Sequence, residues 1–100
     1  MIGYPLNKSI SELKKHMDKH KINPLALSIA TGVVPSRVSE IINNKRKISA
    51  TADLLFCKFF KLKDGHFLKL QIDYELELAH QKLGEKLDKI NTVDLYTPRI

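Results

Sequence analysis

Between Arg37 and Lys47 the chain sets out side chains suited to reading and gripping a nucleic acid. A guanidinium such as that of Arg37 can pair bidentately with guanine O6 and N7, and a carboxylate such as Glu40 can accept from cytosine N4. Lys45, Arg46 and Lys47 follow at once, and cations there would neutralise backbone phosphates. Ser36, Ser39 and Asn43 share the outward face of the same segment, and Asn23, just upstream, completes the DNA-facing set. Spacing alone fits an ordinary helical hairpin with a basic exit loop as well.

Other chemistry is poorly supported. His16 and His20 stand four apart, a spacing that can hold zinc on one helix face. The intervening carboxylate of HExxH is missing and no third ligand is near in sequence, so no metal is expected. Cys57, the single cysteine, sits among Leu55, Phe56, Phe59 and Phe60 and reads as a buried, inert thiol. Gly84-Glu85-Lys86 is no phosphate loop, and no Ser/His/Asp arrangement is suggested. Neither enzymatic activity, nor a cofactor, nor a small-molecule substrate is expected.

The elements that must position the Arg37–Lys47 segment are helices. Strand signals are poor, because alternating β-branched runs between turn residues are lacking. Ser9-Ile10-Ser11-Glu12 reads as a capping box opening a helix with Ile10, Leu13 and Met17 on one face. Asn23-Pro24 starts a short helix through Thr31, which Gly32 ends by taking the left-handed conformation. Pro35 opens the next, Pro35–Asn43, and Asn44 ends it. Two short helices around a Gly-containing turn form a helix-turn-helix at about 23–46. Leu27, Val33, Val38, Ile41 and Ile42 make its shared core.

Ser49 caps a fourth helix, Ala50 to about Lys61, apolar on nearly every side and expected to be the most buried element. Asp64 is expected to cap the fifth, which runs into the low eighties and carries two apolar stripes. Phe67, Leu70, Tyr74 and Leu78 form one. Leu68, Ile72, Leu76, Ala79 and Leu83 form the other. One core needs one stripe, so the second is expected to be a protein interface. Residues 92–100 read as a tail.

The totals agree. One hundred residues, 43% apolar and 28% charged, make a single globular domain. No apolar run approaches the ~20 residues of a membrane span, and Met1–Lys8 does not read as a secretory signal, so a cytoplasmic location is expected. The net charge of +6 is uneven: residues 1–63 hold twelve Lys and Arg against four acids, and residues 64–100 five against seven. A basic first part suits a polyanion partner.

The run Gly32–Arg46 resembles the helix-turn-helix of the XRE, λ-repressor-like superfamily. Lys47-Ile48-Ser49-Ala50, Leu54, Phe59-Phe60, Phe67–Gln71 and Asp73–Leu76 are similar to its HigA/VapI branch, the antitoxins of bacterial toxin–antitoxin modules. The resemblance covers roughly residues 12–80. It implies an all-α, five-helix domain that forms a homodimer, binds a palindromic operator in double-stranded DNA and represses its own operon. It also implies a cognate toxin of HigB type, an mRNA-cleaving ribonuclease, held inactive. Arg37, Ser39, Glu40, Lys45 and Arg46 match family positions at the DNA face, and the last helix, about 64–83, matches the dimer contacts. A stand-alone repressor without a toxin, and an interaction module that has lost DNA binding, are the competing readings. Pro24 stands where many relatives carry a phosphate-contacting glutamine, which puts that contact in doubt. Ser28 and Thr31 replace apolar residues and are expected to loosen the seam between the two short helices. Asn44 and Lys61 stand at glycine positions.

Overall fold

The computed structural model describes residues 7–95. Six helices appear in order: α1 (Lys8–Lys19), α2 (Pro24–Thr31), α3 (Pro35–Ile42), α4 (Ala50–Phe60), α5 (His66–Leu83) and α6 (Glu85–Asp88). A single 3-10 turn, Val93–Leu95, follows, and among the described residues there is no strand. The five expected helices are present, and α6 is an addition. Gly84, at φ 51° and ψ −125°, ends α5 and lets one further turn form at a new angle. The expected tail at residues 96–100 lies outside the described residues.

The core forms where the apolar faces of α1 to α5 meet. Ile10, Leu13 and Met17 of α1, Leu27 of α2, Val33 of the turn, Val38 and Ile41 of α3, Ile48, and Phe56, Cys57 and Phe60 of α4 are all buried. Phe67 of α5 closes it, edge-on to Phe56 and Phe60 with ring centroids 6.5 Å apart in both pairs. Burial pushes the Cys57 thiol above its ordinary pKa, so it packs as an inert small hydrophobe.

Four details depart from the sequence reading. Asn7, not Ser9, caps α1 by accepting from the Ser9 amide, while Ser9 lies buried inside the helix and donates to Gln71 Oε1 at 3.0 Å. Glu12 therefore does not reach back to a cap; its carboxylate turns to His16 and His66. Asp64 does not cap α5 either. That helix begins at Gly65 in the left-handed conformation, and its amides are met by Asp53 of α4. The Asp53 carboxylate, only 1% exposed, accepts from Gly65 N at 2.7 Å, Phe67 N at 3.0 Å and Leu68 N at 2.9 Å. An anion at a helix N-terminus satisfies orphan donors and complements the dipole.

The fourth helix is not buried all round: Leu54, Leu55 and Phe59 are exposed, because only the face bearing Ala52, Asp53, Phe56, Cys57 and Phe60 meets other helices. Finally, Ser28 and Thr31 tie the seam instead of loosening it. Ser28 Oγ donates to the Val33 carbonyl, and Thr31 Oγ1 donates to the Leu27 carbonyl at 2.7 Å and accepts from Val33 N at 3.4 Å. These hydroxyls hold the turn that joins α2 to α3.

Three helices end on a non-glycine residue in the left-handed region: α1 at Lys21 (φ 55°), α3 at Asn44 (φ 58°) and α4 at Lys61 (φ 58°). In each, the next amide reaches back to a carbonyl of the last turn at 2.8 Å: Ile22 to Met17, Lys45 to Glu40 and Leu62 to Cys57. This is the Schellman arrangement, which leaves few helix-end carbonyls without a donor. Lys61 thus ends α4 in the conformation that glycine would take.

Candidate nucleic-acid interface

Alpha-3 presents the candidate contact face because its own pattern divides it. Val38 and Ile41 point into the core, Ile42 is half-buried, and Ser36, Arg37, Ser39 and Asn43 are exposed. Val34 enters the helix in extended conformation and Pro35 occupies the first position, so no side chain caps this end. Pro35 has no amide to offer there, and the amides of Arg37 and Val38 donate to the Val34 carbonyl at 3.0 and 3.1 Å.

Arg37 lies exposed one turn into the helix. Glu40 is half-buried, and its carboxylate accepts from Arg46 Nε at 2.9 Å. Asn43 Nδ2 donates to Ser39 Oγ at 3.3 Å, so those two side chains brace one another across one helical turn. The Schellman turn at Asn44 then throws Lys45, Arg46 and Lys47 out beyond the helix end, all exposed. Lys47 Nζ meets Glu75 Oε1 of α5 at 2.6 Å. Asn23, exposed at the start of α2, spends its side-chain oxygen on the Ala26 amide at 2.7 Å.

The structure therefore gathers Ser36, Arg37, Ser39, Glu40, Lys45, Arg46 and Lys47 on α3 and its exit, as the sequence implied. Asn23 stands at the start of α2 with its capping role filled.

The exit of α3 is fastened from behind. Asn44 Oδ1 accepts from Asn7 Nδ2 at 2.8 Å, Asn7 Oδ1 accepts from Ser9 N at 3.2 Å, and Ser9 Oγ donates to Gln71 Oε1. A cleft of about 440 Å³ lies between residues 44–47 and the α5 residues Gln71, Tyr74, Glu75 and Leu78. Asn7 and Gln71 were not among the expected residues. A polar residue on an otherwise apolar helix face, as Gln71 is, was the signal for them.

On α5, the second stripe faces solvent. Leu68 is half-buried, while Ile72, Leu76 and Leu83 are 46%, 57% and 41% exposed and Ala79 is exposed as well. The first stripe is less buried than expected: only Phe67 is fully enclosed, with Leu70, Tyr74 and Leu78 half-buried. Exposed apolar side chains continue through Leu87, Ile90, Val93 and Leu95. Alpha-5 extends past the core, and the described chain measures 59 × 36 × 22 Å. Among the described residues no helix is long and apolar enough to cross a membrane.

No family model matches the chain, and no curated protein matches it. Among solved structures, Pseudomonas aeruginosa antitoxin HigA with the higBA promoter superposes with a TM-score of 0.78 at 24% identity. That match covers 85% of this chain and 95% of the other. An addiction module antidote protein of a HigA family from Coxiella burnetii superposes with a TM-score of 0.75 at 25% identity, over 97% of this chain and 100% of the other. These neighbours are HigA antitoxins, the branch that the sequence resembles, and the all-helical architecture is common to all three chains.

Proposed function

We propose that the chain is an antitoxin of HigA type, acting as a dimeric repressor of its own operon and as the inhibitor of an mRNA-cleaving toxin. One observation carries the DNA-binding half: an exposed α3 face with Arg37 and a basic exit, on a fold shared with an antitoxin captured with its promoter. Each protomer would lay α3 in a major groove, with Arg37 and Glu40 at base edges and Lys45, Arg46 and Lys47 at phosphates. Ser36, Ser39 and Asn23 stand where they would contact the backbone or support the helix. Two such helices about 34 Å apart would match half-sites one DNA turn apart in a palindrome.

The dimer would form through Leu68, Ile72, Leu76, Ala79 and Leu83. Their exposure supports this reading, since a row of large apolar side chains left in water favours a partner surface. Toxin inhibition rests on the likeness to HigA antitoxins. A DNA-binding protein of this kind has its place in the cytoplasm and requires no cofactor.

Fluorescence anisotropy on the chain's own promoter fragment tests the DNA reading. Arg37→Ala is expected to weaken cognate binding by about 1–3 kcal/mol while leaving scrambled DNA nearly unaffected. Lys45→Ala is expected to weaken both alike and to lower the salt slope by about 1. Equal losses on both DNAs for Arg37→Ala would refute base reading. Co-expression with the adjacent reading frame tests the antitoxin half: growth rescue and co-purification are expected, and failure of both would leave a stand-alone repressor.

A further inference from the structure

Away from the DNA face, α1 and the start of α5 bring two imidazoles and a carboxylate to one point. Glu12 and His16 lie one turn apart on α1, and His66 is the first residue of α5. Glu12 Oε1 stands 3.2 Å from His16 Nε2 and 3.1 Å from His66 Nε2. All three donor atoms lie within 4.8 Å of one another. The side chains are partly shielded, His16 most, yet reachable from solvent. Phe60 and Phe67 form the floor, with His16 ring centroid 5.7 Å from Phe60 and His66 ring centroid 5.1 Å from Phe67.

We propose that Glu12, His16 and His66 form a binding site for a zinc-like divalent cation that clamps the N-terminus of α5 onto α1. A tetrahedral zinc with ligands at 2.0–2.1 Å places neighbouring donor atoms about 3.3 Å apart. Two of the three edges already have nearly that length, and drawing the two imidazoles together closes the third. Two nitrogen donors and one carboxylate select zinc and its transition-metal neighbours over magnesium and calcium, which prefer all-oxygen shells. The fourth position remains for water. Lys15, whose charge acts on Glu12, is exposed to solvent and opposes the metal only weakly.

His20, the partner suggested by sequence spacing, is not in the site; its ring lies by Phe60 at 5.9 Å. Tertiary structure supplies His66 in its place, from far along the chain.

Thermal unfolding of the full chain with added zinc tests the proposal. At roughly a hundredfold excess of free zinc over its Kd, the melting temperature is expected to rise by roughly 10 °C, with one zinc bound per chain by titration calorimetry. Magnesium at the same concentration should give no rise. His16→Gln and His66→Gln, which keep a donor for Glu12, should each lose the shift while retaining the parent circular dichroism spectrum. His20→Gln and His80→Gln should retain it. Cobalt(II) offers a second readout, since the parent protein should give the intense visible absorption of tetrahedral coordination. No zinc-dependent rise in the parent, an undiminished rise in both His16→Gln and His66→Gln, or a pale octahedral cobalt spectrum would overturn the site.

Discussion

Replacing Asp53 by alanine should destabilise the fold by about 3 kcal/mol, although Asp53 is buried and belongs to neither the proposed DNA face nor the proposed dimer stripe. The magnitude follows from its three backbone bonds to the start of α5. Phe67 is fully buried, so no water replaces the lost acceptor, and an unsatisfied buried amide costs about 1–3 kcal/mol. Gly65 and Leu68 are half-buried; water can reach them, and each loses the margin of a charge-assisted bond, about 1 kcal/mol. Relief from burying a carboxylate offsets part of this. A net loss near 3 kcal/mol is a large share of the ~5–15 kcal/mol stability of a small domain.

Asp53→Asn keeps the volume but turns an amide donor toward amide donors, so it should cost about as much. The assay is urea unfolding followed by circular dichroism at one fixed protein concentration, because the proposed dimerisation would feed into apparent stability. With a slope of about 1–3 kcal/mol/M in urea, the unfolding midpoint is expected to fall by roughly 1–3 M. If both variants stay within about 1 kcal/mol of the parent, Asp53 is not what holds the start of α5.

Two further outcomes follow. Leu76→Asp, at the most exposed large residue of the second α5 stripe, should yield a monomer by analytical ultracentrifugation and weaken operator binding at least tenfold; an unchanged dimer would exclude this stripe as the interface. Lys61→Gly should raise stability by about 0.5–1 kcal/mol by relieving a left-handed lysine, whereas Asn44→Gly should lower it by about 1 kcal/mol because Asn7 loses its acceptor. Equal and favourable effects at both positions would show that the Asn7–Asn44 bond contributes nothing.

The contrast between those two positions illustrates what could be read from sequence. Asn44, Gly32, Asn23 and Pro35 announce helix ends through their own backbone preferences, so α2, the turn and α3 were legible, and with them the outward set around Arg37. The α1 stripe was legible for the same reason: Ile10, Leu13 and Met17 obey a helical period and are all buried. Caps supplied from a distance were not. Asp53 lies twelve residues before the amide of Gly65 that it meets, and local pattern favoured the adjacent Asp64. The apolar density of α4 suggested burial on all sides, but there were too few neighbours to cover Leu54, Leu55 and Phe59. Ser28 and Thr31 looked like defects in an apolar seam because their hydrogen-bond partners, the carbonyls of Val33 and Leu27, are visible only once the turn is folded. His66 could not be joined to Glu12 and His16 by spacing, since the two helices that carry them meet only in the tertiary structure.

The pairing of Arg46 with Glu40 and of Lys47 with Glu75 alters the ionic economy of DNA binding. A bare lysine that contacts a phosphate lets the duplex shed a condensed cation, and that release drives non-specific association. A lysine already held by Glu75 must let go first, and the abandoned carboxylate then recruits a cation of its own from solution. Gain and loss of counterions nearly cancel at such a contact. Among the described residues, Arg37 and Lys45 carry no such internal partner. Affinity should therefore fall with salt less steeply than the number of cations around α3 suggests. Random DNA, held by counterion release alone, would then gain little, and a larger fraction of the binding free energy would be left to base contacts of the kind proposed for Arg37.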